Sequence, residues 1–164
     1  MIGMSMVVPF LPLYVKSLGV TDPSELKRWS GLVFSGVFIT AVIATPFWGW
    51  LGDRVGKKKM VIRAIFGLAV SQFLIGLAMD VYQLFLFRMI QGALSGFIAA
   101  ALALVSSNTP KEKSGFAIGF LASSIAAGNV LGPFVGGLLA DSFGYRNVFF
   151  ITSGMCFLSG ILVL

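Results

Sequence analysis

Two polar residues, Arg88 and Gln91, sit three positions apart inside an otherwise apolar run. On a helix that spacing puts both on one face. An arginine at the centre of a membrane helix costs about 2.5–3.5 kcal/mol on insertion scales. A guanidinium here is therefore either part of a polar interior site or long enough to snorkel to the surface. It lies about six residues into its run, roughly 9 Å deep at about 1.5 Å per residue, a depth that permits both. Gln91 on the same face favours the interior site. Because arginine stays protonated, its chemistry would be to tune a carboxylate or to organise water. The six acids, Asp22, Glu25, Asp53, Asp80, Glu112 and Asp141, all lie in or beside loops, so no carboxylate is available within the apolar runs.

Three further stretches have spacings with a physical meaning. In Gly49-Trp50-Leu51-Gly52-Asp53-Arg54-Val55-Gly56-Lys57-Lys58, Gly49 would let helices approach and Gly56 would allow a tight turn. Asp53 is then a carboxylate at a helix end, suited to the N-terminal dipole of another helix or to a cation. A solvated turn carrying topology-setting charges is the plainer alternative. Gly128, Gly132 and Gly136 recur every four residues, with Gly137 following, and make a smooth stripe for close helix packing. Pro133 within that stripe cannot donate a backbone hydrogen bond and should kink the helix. A kinked, glycine-faced helix suits either a sealed gate or a packing face with no gating role. Pro9 and Pro12, with Gly3 upstream, suggest a bent first helix lining a cavity.

The elements that must position these residues are membrane helices. Of 164 residues, 57% are hydrophobic and only 11% charged, with a mean hydropathy of +0.96. Soluble domains carry about 25% charged residues. The charges cluster, leaving apolar runs of about 20 residues, the length needed to cross a hydrocarbon core of about 30 Å. Such runs must be helical because lipid offers no partner for free backbone groups. Six spans are expected, at about Met1–Leu18, Ser30–Leu51, Met60–Met79, Tyr82–Ser106, Gly115–Ala140 and Val148–Leu164, forming one bundle over residues 1–164 that reads as clipped at both ends. Asp22-Pro23-Ser24-Glu25 and Thr109-Pro110-Lys111-Glu112 each carry the sequence of a helix start, with cap, proline and third-position glutamate. The absence of histidine removes histidine metal sites and bases, and Cys156 has no second cysteine to pair with. No cofactor, metal or nucleic-acid partner is implied, and the net charge of +6 belongs to the loops.

The basic residues set an orientation. Arg54, Lys57, Lys58, Lys59, Arg63, Lys111 and Lys113 fall on the side of the 2–3 and 4–5 loops, against Lys16, Lys27, Arg28 and Arg146 on the other. The first side should be cytoplasmic, and the amino terminus with it. An offset of 88 residues carries Gly49, Leu51, Asp53 and Gly56 onto Gly137, Leu139, Asp141 and Gly144. It also carries Gly31, Ser35 and Val42 onto Gly119, Ser123 and Val130. The offset moves span 2 onto span 5. Three spans is an odd number, so the two copies face opposite sides, an inverted three-plus-three repeat.

On these residues the chain resembles the major facilitator superfamily, and within it the drug–proton antiporter branch. The loop 49–58 resembles the superfamily's signature loop. Leu84, Arg88, Gln91 and Gly92 are similar to the branch's intramembrane arginine motif. Gly128-Asn129-Val130-Leu131-Gly132-Pro133-Phe134-Val135-Gly136-Gly137 is similar to its antiporter motif. Gly3 with Pro9-Phe10-Leu11-Pro12 is similar to its first-helix motif. The resemblance implies an all-α membrane protein, six helices making the amino-terminal half of a twelve-span transporter in a bacterial cell membrane. It implies that Asp53, Arg54, Lys57 and Lys58 latch two halves in one conformation and that Arg88 takes part in proton transfer. The implied partners are a small-molecule substrate, protons, the lipid bilayer and a carboxy-terminal half of the same chain. Proton coupling ordinarily needs a titratable group of alternating access, and that group would have to come from the other half. Export of sugars or other metabolites by the same fold, or a non-transporting sensor or scaffold, are the competing readings.

Overall fold

The computed structural model describes residues 5–164. All elements among the described residues are helical. A 3-10 turn at Val8–Phe10 leads into α1 (Leu11–Ser17), followed by α2 (Pro23–Val55), α3 (Lys57–Gly76), α4 (Val81–Leu94), α5 (Phe97–Asn108), α6 (Lys111–Phe143) and α7 (Tyr145–Val163). The stretches 23–55, 57–76, 81–108, 111–143 and 145–163 are each long and apolar enough to cross a membrane. These are five of the six expected spans; of the first, about Met1–Leu18, the described part holds the 3-10 turn and α1.

The internal repeat is visible in the helix boundaries. α2 and α6 are both 33 residues long, and each end of α6 lies 88 residues beyond the matching end of α2. Both stop at a glycine with positive φ, Gly56 at +107° and Gly144 at +80°. An L side chain rarely adopts that conformation, so glycine is what lets the next helix start at once. In both copies the glycine N–H caps the fourth residue back, Gly56 to Gly52 O at 3.1 Å and Gly144 to Ala140 O at 2.8 Å.

Only one of the two expected helix starts uses its cap. Asp22 accepts from the Glu25 amide at 3.0 Å with Pro23 at the first helical position. The Ser24 hydroxyl and then the Glu25 amide hold the Asp22 carboxyl below the usual range. This contribution is present above the unfolded carboxyl's pKa and is lost as pH falls through the lowered folded value. Thr109 is different: its hydroxyl turns back to Val105 O at 2.7 Å and closes α5, leaving Pro110 to start α6 without a side-chain cap.

The fourth span corrects the sequence reading. In place of one helix over Tyr82–Ser106 there are two, separated by Ser95 and Gly96, with Gly96 at φ +109°. The first span changes from a 3-10 turn to an α-helix between Pro9 and Pro12. Phe10 leaves helical geometry at φ −102°, ψ 8° between the 3-10 turn and α1. Gly3 lies outside the described residues. α6 runs through Pro133 as a single helix.

Packing is built on glycine contacts and a small aromatic core. Phe10, Tyr14, Ile75, Leu84, Val148 and Phe149 form the centre of the buried cluster, with Tyr14 and Phe149 rings 4.9 Å apart. α3 lies along α7, and α2 along α4. At Gly92 a methyl group would run into the Val37 carbonyl and the Thr40 hydroxyl, and at Gly136 it would sit 2.8 Å from Met6 Cα. Beside it, Gly137 faces open space. In the full-length protein, Gly92→Ala and Gly136→Ala should each lower stability by about 1–3 kcal/mol through overpacking. Gly137→Ala should change it little. Thermal unfolding of the purified variants in detergent separates the two classes, and equal behaviour at 136 and 137 would refute the contact.

Candidate functional site

The 2–3 loop and the 4–5 loop come together on one side of the bundle. Val55, Gly56, Lys57, Lys58, Lys59, Leu104, Ser107 and Asn108 line one surface cleft there. On the opposite side, Tyr14, Ser17, Leu18, Gly144, Tyr145 and Arg146 share another. Arg146 donates to Ala78 O at 2.7 Å, which ties the 3–4 turn to that second side. The lysines of the 2–3 loop therefore lie beside the end of α5.

Within the signature loop the residues part company. Asp53 is exposed in the last turn of α2. It lines a cavity of about 250 Å³ with Gly49, Gly52, Lys57 and Arg63, closed on the far side by Gly96, Ala99 and Ala100. Arg54 lies with its guanidinium carbon 4.1 Å from the Trp50 ring centroid. Lys57 begins α3, and Lys58 Nζ donates to Leu164 O at 2.8 Å. Gly49 has no neighbour where a side chain would be; the close contact is at Gly52, where a Cβ would meet Met60 Cγ at 3.2 Å. The face of α2 carrying Gly49 looks into the cavity rather than onto a helix.

Arg88 and Gln91 meet inside the bundle. Arg88 is 6% exposed and Gln91 0%. Arg88 Nη1 donates to Gln91 Oε1 at 3.0 Å. The side chain does not snorkel but lies inside the bundle beside Gln91. Two of its N–H groups, Nε and Nη2, are buried without an acceptor among the described residues, as is Gln91 Nε2. Unpaired donors on a buried cation carry a high desolvation cost, so the arrangement calls for an acceptor, an oxygen of water or of a carboxylate. Gly92, one residue on, brings the α4 backbone against α2, and Thr40 fixes that contact by donating to Met89 O at 2.8 Å.

The antiporter-like stripe is a real contact. Gly128, Gly132 and Gly136 are the buried residues of α6, with Ala140 continuing the line. Two of them lie against the start of the chain: Ser5 Oγ donates to Gly128 O at 2.7 Å and Gly136 abuts the Met6 backbone. Pro133 is half-buried and Gly137 points away from the contact. Pro9 and Pro12 are exposed on the opposite face of the first span.

The sequence reading missed three participants. Arg63, counted there as a topology charge, stacks on Trp48 and donates to Ser95 O. Trp48 donates to Ala93 O at 2.7 Å. Tyr14 donates to Ile75 O at 2.9 Å and ties span 1 to the end of span 3. A polar tip on an otherwise apolar side chain inside a span was the available signal for Trp48 and Tyr14.

The chain is also similar in sequence to known proteins. The sequence profile described as Major Facilitator Superfamily matches residues 1–164. The chain is 51% identical over 160 residues to a protein named "Multidrug resistance protein MdtG" from Enterobacter lignolyticus, covering 98% of this chain and 38% of that protein. A protein of the same name from Citrobacter koseri is 50% identical over 157 residues, covering 94% and 39%. One from Rahnella sp. is 48% identical over 160 residues, covering 98% and 39%. The chain thus spans about two-fifths of the length of these relatives.

Proposed function

Because this chain belongs to the major facilitator superfamily, we propose that it is the amino-terminal six-span half of a proton-coupled exporter of drugs or other amphipathic organic compounds, working by alternating access in a bacterial cell membrane. The 2–3 and 4–5 loops then face the cytoplasm. The name carried by its half-identical relatives supports the substrate class. The single observation that carries the coupling role is Arg88, a buried cation with one protein acceptor and two nitrogens, Nε and Nη2, without one among the described residues.

The chemistry follows from that imbalance. A guanidinium cannot itself release a proton at ordinary pH. It can lower the proton affinity of a carboxylate brought close to it, and let that affinity rise when the carboxylate moves away. Gln91 holds the fork in place through Nη1. Since the acids of this chain lie at helix ends, the titrating carboxylate belongs to a span of the other half. Movement of the halves past each other then couples proton affinity to the side on which the site opens. Asp53, exposed at the end of α2, is the latch: its carboxylate engages the other half in one of the two states.

Four outcomes test this reading in the full-length protein. In vesicles with an imposed pH gradient, efflux should depend on protons. Arg88→Lys, which keeps the charge and loses the planar fork, should retain part of it, whereas Arg88→Leu should retain almost none. Both should insert normally. Full activity of Arg88→Leu would sink the coupling role. Neutralising the acid within a span of the carboxy-terminal half should abolish proton-driven efflux while substrate still binds, and a half without such an acid would rule out this mechanism. Asp53→Asn should cut transport sharply with substrate affinity held within a few-fold; normal transport at normal expression would remove the latch.

A further inference from the structure

Span 4 is interrupted where an ordinary membrane helix would continue. α4 ends at Leu94, Ser95 adopts an extended backbone and α5 restarts after Gly96. A helix end strands carbonyl groups, and within hydrocarbon such groups persist only where other protein groups satisfy them. Two carbonyls at this break receive donors from neighbouring spans. Trp48 Nε1–H from α2 donates to Ala93 O at 2.7 Å, and Arg63 Nη2–H from α3 donates to Ser95 O at 3.0 Å. The two donors are themselves stacked, with Arg63 Cζ 3.5 Å from the Trp48 ring centroid. That distance is well inside the range of a cation–π contact. Two spans thus converge on the broken end of a third through one stacked pair.

Arg63 also faces the latch. It lines the same cavity as Asp53 and Lys57, together with Ala99 and Ala100 of α5. Its Nε and Nη1 are buried and have no hydrogen-bond acceptor among the described residues. On the other side of the break, α4 carries Arg88 and Gln91. Arg88 is six residues, about 9 Å along the helix, from the end of α4 at Leu94. One arginine therefore stands between the loop that changes partner and the helix that holds the polar interior site.

We propose that Arg63, held by Trp48, is a positioning residue for transport: it clamps the Ser95–Gly96 break and sets the angle between α4, with Arg88 and Gln91, and α5. The inference rests on the transporter reading above and extends it to residues outside its motifs. With the clamp closed, the Ser95 carbonyl holds Arg63 beside Trp48. When the latch loop moves, Asp53 offers a second acceptor in the same cavity, and release of Ser95 frees the two halves of span 4 to pivot about Gly96.

The test uses the full-length protein in lipid nanodiscs for hydrogen exchange and in vesicles for transport. Arg63→Gln removes the cation, and Trp48→Phe keeps an aromatic face but loses the N–H donor. Each should speed amide exchange across residues 95–100 by at least about tenfold, since local opening governs exchange there. Each should slow transport by about tenfold while substrate binding stays within a few-fold, the split expected when positioning rather than binding is lost. The double variant should be little worse than either single one, because both remove one clamp. Unchanged exchange in Arg63→Gln would overturn the clamp, and faster exchange with normal transport would overturn the positioning role. Trp48→Phe guards against a variant that fails to fold, since it alters one donor only. A wild-type protein that moves no substrate would sink the transporter reading and the positioning role with it, whereas exchange alone decides whether the clamp exists.

Discussion

In a bilayer core an unpaired backbone carbonyl has no water to turn to, and the joints of this structure are places where a side chain from another span supplies the missing donor. Tyr14 serves Ile75 at the end of α3, Arg146 of α7 serves Ala78 in the turn after α3, and Ser153 serves Ala69. Trp48 and Arg63 do the same at the break in span 4. These bonds need the helices to lie close, and the glycines make that approach possible. Gly92 on Val37 and Gly136 on Met6 are contacts of backbone with backbone. The polar joints and the glycine contacts are therefore one requirement met twice.

That requirement also organises the polar interior site. Gly92 seats α4 against α2, and the same turn carries Arg88 and Gln91 inward. A bulkier residue at 92 would push α4 outward and take the guanidinium with it. The motif's arginine, glutamine and glycine are thus a single geometric unit: one supplies charge, one holds it, one sets the depth at which both sit.

Much of this was legible in the sequence because the bilayer reduces the choices. The apolar runs fixed the helical class, and the 88-residue offset reappears in both ends of α2 and α6. Asp22 caps as its neighbours suggest. The misses have physical causes. Gly96 reads as one more packing glycine among many, because only its positive φ marks it as a break, and φ is not written in composition. Arg63 sits close enough to a basic loop to be counted with it, although its acceptor is a carbonyl more than thirty residues on. Thr109 has the chemistry of a cap for either neighbouring helix, and the chain uses it for the one before.

The matched lengths of α2 and α6 have a mechanical meaning. At about 1.5 Å per residue each is a rod of about 50 Å, well beyond the roughly 30 Å of hydrocarbon it crosses. Inverted copies of equal rods behave as balanced levers. A tilt of about 10° about the middle of such a rod carries each tip some 4 Å in opposite directions. In the transporter proposed above, opening on one face and closure on the other would be the same displacement, with no separate signal travelling between them.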